Sequence, residues 1–344
     1  MSRGKVISKE YLRDNHGDYP VYSSQTANDG ELGRINTYSY DGKYLTWTTD
    51  GAYAGTIFRR IGKFNITNVC GLIDIVDPKL NIDFAYYWLS RTAKSYVYDG
   101  MGNPKLMTNV METISIPIPP LVVQAEIVNL LDKFTQLSAE LKAELKLRRK
   151  QYDYYRNHLL SFDSNSTTVH WMPLGEVAEL KAGKSISATQ IFETQSALHK
   201  YPCFGGNGIR GYVDSFSHHG EFPIIGRQGA LCGCVNYANG DFYATEHAVV
   251  AKPKGEVLNR FLFYMLQNAD LNQYKTQGAQ PGLSVTKLNE IVFPIPPMEE
   301  QERIVGILDK FETLVNDLSK GLPAEIALVQ KQYEYYRNML LTFE

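Results

Sequence analysis

Apolar side chains step by three and four along two long stretches of this chain. Ile127, Leu130, Phe134, Leu137 and Leu141 make the first stripe, and Tyr152, Tyr155 and Leu159 continue it. Ile304, Ile307, Phe311, Leu314 and Leu318, then Tyr333, Tyr336 and Leu340, make the second. Such spacing predicts two long helices, each with the seam of a coiled coil, and two seams in one chain can satisfy each other. Pro119-Pro120 and Pro296-Pro297 mark the helix starts, because proline is tolerated in the first turn and blocks an earlier one. About 42 helical residues make a rod on the order of 60 Å at roughly 1.5 Å per residue. Gly321-Leu-Pro323 falls inside the second rod and predicts a kink or a restart. Elsewhere the pattern shortens to aromatic and β-branched runs bounded by Gly, Asn and Asp, at Tyr44–Thr48, Thr56–Phe58, Phe222–Ile225 and Ala248–Ala251. These predict strands joined by turns, and Phe84–Ser95 and Asn259–Gln267 predict a closing helix for each region, hence two mixed α+β domains.

The whole plan occurs twice. Ile116-Pro-Ile-Pro-Pro120 returns as Phe293-Pro-Ile-Pro-Pro297, and Leu131-Asp-Lys-Phe134 as Leu308-Asp-Lys-Phe311, both 177 positions on. Lys150-Gln-Tyr-Asp-Tyr-Tyr-Arg-Asn157 returns as Lys331-Gln-Tyr-Glu-Tyr-Tyr-Arg-Asn338, and Leu159-Leu-Ser-Phe162 as Leu340-Leu-Thr-Phe343, now 181 on. Four extra residues therefore lie between the blocks of the second copy. The preceding regions are related loosely: Gly4-Lys-Val-Ile-Ser8 parallels Gly183-Lys-Ser-Ile-Ser187, Tyr19-Pro20 parallels Tyr201-Pro202, and Gly51-Ala-Tyr-Ala-Gly55 parallels Gly229-Ala-Leu-Cys-Gly233. The expected boundaries are 1–115 and 163–292 for two diverged domains, and 116–162 and 293–344 for two nearly identical helical spacers. Near-identity in the spacers and divergence in the domains imply one shared task and two different ones.

Composition narrows the function. With 344 residues, 44% of them apolar, the chain can fill two cores. No uncharged apolar run reaches membrane-spanning length and no leader pattern opens the chain, so a cytoplasmic setting is expected. Cys70, Cys203, Cys232 and Cys234 lack the paired spacing of a zinc site, and no metal is expected. The formal charge of −2 is not the basic signature of a nucleic-acid binder, and each diverged region is near neutral. Any phosphate-binding cations would have to gather on one face. Ala182-Gly-Lys-Ser185 fails as a phosphate loop because Ala178 stands where the first glycine belongs. Glu140-Leu-Lys142 and Glu144-Leu-Lys146 echo a nuclease signature but sit on a helical rod with alternating charges. His218-His219 and His247 have no carboxylate or second histidine at ligand spacing along the sequence. No catalytic residue or bound cofactor is expected.

The ordered set, a Pro-Ile-Pro-Pro turn, a Gln-x-x-Ile-Val-x-x-Leu-Asp-Lys-Phe helix start and a Gln-Tyr-x-Tyr-Tyr-Arg-Asn helix end, occurring twice, resembles the specificity (S) subunit, HsdS, of type I restriction-modification systems, over the whole chain. The resemblance implies two target recognition domains of mixed α/β structure separated by two long antiparallel spacer helices, a pseudo-two-fold tandem repeat. It implies a non-catalytic, sequence-reading subunit for a bipartite target in double-stranded DNA, docked to two adenine-specific modification (methyltransferase) subunits and, through them, to restriction (endonuclease/translocase) subunits. S-adenosylmethionine, Mg and ATP would then belong to those partners only. One departure stands out: Trp171–Lys181 precedes the second Gly-Lys-x-Ile-Ser segment, whereas the first lies almost at the start, so the opening strand of the first domain is expected to be missing or shortened. Candidate DNA contacts lie in polar, glycine-rich loops: Ser23, Ser24, Gln25, Thr26, Asn28, Arg59, Arg60, Asn103 and Lys105 in the first domain, and Asn207, Arg210, Arg227, Gln228 and Gln280 in the second. Candidate subunit contacts are Gln124, Phe134, Tyr152, Tyr155, Arg156, Gln301, Phe311, Tyr333, Tyr336 and Arg337 on the repeated helices. The competing reading from another class is a non-catalytic adaptor, two protein-binding domains on a helical spacer, which the near-neutral charge favours.

Overall fold

A computed structural model describes residues 1–229, 232–276 and 281–343, the side chain of Met101 excepted. It divides into unit 1, Met1–Glu140 with Ile326–Glu344, and unit 2, Leu141–Glu325. Unit 1 contains β1 (Ser2–Arg3), α1 (Lys9–Asp14), β2 (His16–Tyr22), β3 (Glu31–Ile35), β4 (Tyr40–Thr48), β5 (Ile57–Ile66), β6 (Cys70–Ile73), α2 (Ile82–Thr92), α3 (Thr108–Met111) and the first part of α4 (Leu121–Leu159). Unit 2 takes the rest of α4, then β7 (His170–Pro173), α5 (Leu174–Val177), β8 (Ala178–Ala182), β9 (Tyr201–Gly205), β10 (Gly208–Val213), β11 (His218–Gly226), β12 (Val235–Ala244), β13 (Ala248–Pro253), α6 (Asn259–Asn268), α7 (Val285–Asn289), β14 (Val292–Ile295) and α8 (Met298–Asn316). The last helix, α9 (Leu322–Leu340), starts in unit 2 and otherwise belongs to unit 1.

The two six-stranded sheets have one topology. Unit 1 runs β1-β6-β4-β5-β2-β3 and unit 2 runs β8-β13-β11-β12-β9-β10, with the parallel pair, β2 with β5 and β9 with β12, at the same place. The recurring Gly-Lys has a steric cause. A Cβ on Gly4 would lie 1.9 Å from the Ile66 carbonyl oxygen, and one on Gly183 2.0 Å from that of Ala244, so only glycine lets the chain pass the end of the parallel strand. Unit 2 has one further pair, β7 with β14; in unit 1, residues 115–118, the counterpart of β14, form no strand among the described residues. The first strand is the two-residue β1, against five residues in β8. Each sheet is covered by the helix that follows it. Leu45, Trp47, Ile57 and Ile73 pack under Ala85 and Leu89 of α2, and Ile225, Val235 and Val249 under the buried residues of α6.

The spacer helices form where the pattern placed them, with alternate positions of the seam shifted by one. Gln124, Ile127, Leu131, Phe134, Leu141, Leu145, Tyr152 and Tyr155 face inward, whereas Leu137 is 40% exposed. On α8 the seam is Gln301, Ile304, Leu308, Phe311 and Val315, and Leu318 lies outside it. Adjacent leucines at 130 and 131 fit the same period; contact with α2 selects Leu131, which is wholly buried against Phe84 and Tyr87. The second spacer restarts, as Gly321-Leu-Pro323 predicts: α8 ends at Asn316 and α9 begins at Leu322. Asp317 Oδ1 accepts from the Ser319 and Lys320 amides, and a Cβ on Gly321 would meet the Thr313 carbonyl oxygen at 2.3 Å. The four extra residues of the second copy are this turn, since α4 runs unbroken for 39 residues.

The repeated blocks meet crosswise. In unit 1, Phe134 stacks on Tyr336 with ring centroids 5.4 Å apart; in unit 2, Tyr155 stacks on Phe311 at 5.3 Å. Leu131 meets Leu341 in unit 1 while Phe134 meets Tyr336, so α4 and α9 run antiparallel there. One glutamine then fastens each helix start. Gln124 Nε2 donates to the Lys79 and Pro119 carbonyls and its Oε1 accepts from Asn81, the residue that caps α2; Gln301 makes the same three bonds, to Glu256, Pro296 and Leu258. Both side chains are fully buried. Gln301→Leu keeps the volume and strands three backbone groups, so it is expected to destabilise the chain by about 2–4 kcal/mol, measured as a lowered urea midpoint at unchanged slope.

Candidate functional site

The loops at one end of each sheet are stitched by a common set of backbone bonds. In unit 1 these run from the Thr49 amide to Val69 (3.2 Å), Gly51 to Pro104 (3.0 Å), Leu106 to Thr49 (2.9 Å) and Thr67 to Tyr22 (2.9 Å). In unit 2 they run from Arg227 to His247 (2.9 Å), Gly229 to Pro281 (3.1 Å), Leu283 to Arg227 (2.8 Å) and Thr245 to Phe204 (2.9 Å). Gly51 and Gly229 both sit at φ 93°, the left-handed region that makes glycine recur at the loop start. Backbone bonds carry no side-chain identity, so the loops diverge while their placement does not.

In unit 2 the stitched loops enclose a groove of about 860 Å³ lined by Asn207, Ile209, Arg210, Gln228, His247 and the Pro281-Gly282 turn, with further glycines between them. Three predicted residues, Asn207, Arg210 and Gln228, are brought together here and are exposed. Arg227 contributes its backbone to the stitching, and Gln280 lies outside the described residues. Ile209 and His247 were not among the candidates; the bond from Arg227 to His247, absent from any sequence motif, brings the histidine in. Lys105 and Gly282 hold equivalent places in the late loops, because Lys105 pairs with Asp50 and Gly282 with Gln228 at matching positions. His219 also differs from its sequence context, since the β11–β12 register sets Asp241 beside it, 2.6 Å from Nδ1.

Unit 1 spends several predicted residues on its own loop. Ser24 Oγ donates to the Val69 carbonyl and Gln25 Nε2 to that of Glu31. Ser23 and Thr26 are half-buried beside them, and Asn28 and Asp29 turn the chain at φ 49° and 52°. Arg60 is a correction to the expected contacts. It is 2% exposed, its guanidinium lies 3.6 Å from the centroid of the Tyr22 ring, and it holds Asp29 through Nη1 to Oδ2 (2.7 Å) and Nη2 to the carbonyl (2.8 Å). It shapes the loop from inside and offers no donor to a ligand. Asn103 and Lys105 remain exposed.

Arg59 is the second correction, because it belongs to a joint between the sheet of unit 1 and the helices beside it. Its Nη1 donates to Asp132 Oδ1 (2.8 Å), its Nε lies 3.1 Å from Asp83, and Tyr86 and Tyr87 flank it. Tyr87 also donates to Asp132 (2.6 Å), and Lys43 to Asp83 (2.6 Å). Unit 2 repeats the Tyr–Asp bond, Tyr264 to Asp309 at 2.5 Å, but its arginine comes from the helix: Arg260 donates to Asp309 (2.7 Å) and Glu312. Burial, then the bond to the carboxylate, pushes both tyrosine hydroxyls far above their ordinary range, so they stay donors. Burial opposes the Arg260 charge, and Tyr264, Glu312 and Asp309 together more than offset it.

The predicted subunit contacts are largely used within the chain. Gln124 and Gln301 are enclosed and present no atom to a partner. Phe134, Tyr155, Phe311 and Tyr336 stack on one another, Tyr152 is buried under Arg156, and Arg337 lies over the half-buried Tyr333. The outward positions of the repeated blocks are instead Leu147 and Tyr154 on α4 and Leu328 and Tyr335 on α9, each more than half exposed.

The sequence profile of the type I restriction modification DNA specificity domain matches residues 1–147 and 168–328. The chain belongs to this specificity family. A putative type I specificity subunit of Mycoplasma pneumoniae is 34% identical over 348 residues, covering 99% of this chain and 94% of that one. The type I restriction enzyme EcoprrI specificity subunit of Escherichia coli is 50% identical over 208 residues, 59% of this chain and 52% of that one, so the chain spans about half the length of that relative. Among solved structures, the type I restriction-modification S subunit from M. genitalium shares the fold with a TM-score of 0.68 at 18% identity, over 99% of this chain and 93% of that one. The specificity-family fold thus accounts for the duplicated sheets and paired spacers. No helix among the described residues is long and apolar enough to cross a membrane.

The two kinds of arginine are separable by stability. Arg60→Met removes bonds made inside unit 1 and is expected to cost about 2 kcal/mol. Arg210→Met at the exposed groove is expected to stay within about 0.5 kcal/mol of the parent. Chemical denaturation of the two variants measures the difference.

Proposed function

We propose that this chain is the non-catalytic specificity subunit of a type I restriction-modification complex, in which each unit reads one half of a bipartite site in double-stranded DNA. The observation that carries the reading is the pair of identically stitched loop ends whose side chains differ, which suits one scaffold reading two sequences. In the second unit Arg210, Gln228 and Asn207 have the donor and acceptor geometry that distinguishes bases in the major groove, and the glycine-rich lining leaves backbone amides for phosphates. With a net charge of −2, much of the phosphate affinity falls to partner proteins. Two modification subunits would dock, one on each repeated spacer, where Leu147 with Tyr154 and Leu328 with Tyr335 offer equivalent apolar patches. Restriction subunits would join through them. S-adenosylmethionine, Mg and ATP would be bound by those partners, and the complex would work in the cytoplasm.

Genome-wide sequencing of methylated adenines in strains with and without the gene tests this. A bipartite motif is expected only when the gene is present; methylation by the purified chain with S-adenosylmethionine alone would overturn the reading. Arg210→Ala with Gln228→Ala is expected to relax one half-site by roughly tenfold to a hundredfold at a single base pair, leaving the other half-site unchanged in the same methylome.

A further inference from the structure

The joint between recognition domain and helix is conserved in plan and inverted in charge. The hairpin registers, Gly42 opposite Gly62 and Gly220 opposite Gly240, make Arg59 equivalent to Tyr237 and Lys43 to Glu221. The 177-residue offset makes Asp83 equivalent to Arg260 and Thr135 to Glu312. In unit 1 the sheet is cationic and its covering helix α2 acidic; in unit 2 the sheet carries Glu221 bonded to Tyr237 and the covering helix α6 carries the arginine. What does not change is a guanidinium on the same spacer aspartate, Asp132 or Asp309, beside the same tyrosine hydroxyl. Packing alone would not need that: Tyr87 is already buried against Leu131 and Leu341. A directional, charge-assisted bond kept through a charge inversion points to orientation as its purpose.

We infer that Asp132 and Asp309 are positioning residues, each fixing the angle of its recognition domain on the spacer and thereby the number of unspecified base pairs tolerated between half-sites. This rests on the specificity reading above. A domain held by apolar contact alone can swing about the helix start, and a swing of one base-pair step, about 3.4 Å per step, lets it meet a half-site at the wrong distance. Unit 2 also shows that a second carboxylate one turn further on can share the guanidinium, since Arg260 reaches Glu312 as well as Asp309.

The test compares Asp132→Asn with the double variant Asp132→Asn, Thr135→Glu in cells carrying the modification subunit, reading methylation at sites with the parental gap and with one base pair more or fewer. Asp132→Asn preserves shape and removes the charge. The ratio of wrong-gap to parental-gap methylation is expected to rise about tenfold, the scale of one charge-assisted bond, and Thr135→Glu is expected to bring it back. A general loss of stability would lower methylation without creating wrong-gap sites. An unchanged ratio overturns the proposal, whatever the total level. So does failure of the second substitution to restore the ratio or, if Asp132→Asn abolishes modification, the modification itself. Should the parent chain direct no bipartite motif, the specificity reading fails instead. The joint is then judged on the purified chain by amide exchange of residues 82–92, which must quicken in Asp132→Asn if the bond holds the domain.

Discussion

A single aromatic contact, made twice with its partners exchanged, underlies the rest: Phe134 on Tyr336 and Phe311 on Tyr155. Each pair joins the beginning of one repeat to the end of the other, so neither repeat can complete a unit alone. The consequence is that sequence identity concentrates in the Leu-Asp-Lys-Phe and Gln-Tyr-x-Tyr-Tyr-Arg-Asn blocks. Everything that ties a sheet to its helix hangs on the same faces: the glutamine clamp lies ten residues before each phenylalanine, and the aspartate of the joint two before. A change in seam register would break stack, clamp and joint together, which accounts for the constant 177-residue offset of glutamine, aspartate and phenylalanine, while the extra residues collect in the turn at 317–320 and set the tyrosine blocks 181 apart.

The diverged regions obey a looser rule. Their sheets are set by alternation and by steric points such as Gly4 and Gly183, and their loop ends by amide-to-carbonyl bonds. Side chains at the loop surface bear almost none of that load in unit 2, where Asn207, Arg210 and Gln228 stand clear of the stitching. Unit 1 is more committed, with Ser24, Gln25 and Arg60 holding their own loop. The two surfaces therefore differ in how much variation they can absorb, the second more than the first.

Strands, closing helices, spacer rods and the restart at Gly321-Leu-Pro323 were legible in the sequence because each rests on local periodicity or punctuation. The misplacements share a cause, a choice that only distant partners decide. Leu130 and Leu131 fit the helical period equally, and Phe84 and Tyr87 break the tie. Arg59 and Arg60 looked like one basic pair, yet a strand turns neighbours to opposite faces. One side chain meets Asp132, 73 residues away, and the other Asp29 in a left-handed turn. Gln124 and Gln301 stood as subunit contacts because they recur on the repeated helices, whereas two of the three bonds each makes go to backbone groups more than forty residues back. In the loop candidates, residue type was enough to find half of the groove; His247 needed the backbone bond to Arg227.

The discontinuity of unit 1 has a bearing on how the chain is made. Unit 2 is one contiguous stretch, but the cluster around Phe84, Tyr87 and Leu131 is closed by Tyr333, Leu340, Leu341 and Phe343, and Arg91 reaches the Leu341 carbonyl across 250 residues. At roughly 5–20 residues per second, about 10–40 s of synthesis separate the spacer of unit 1 from the segment that covers it. During that interval the first sheet can assemble while its helical flank faces solvent, and the second unit can fold completely. Of the two units, the one begun earlier is thus finished later, and its apolar flank stays uncovered while unit 2 is being made.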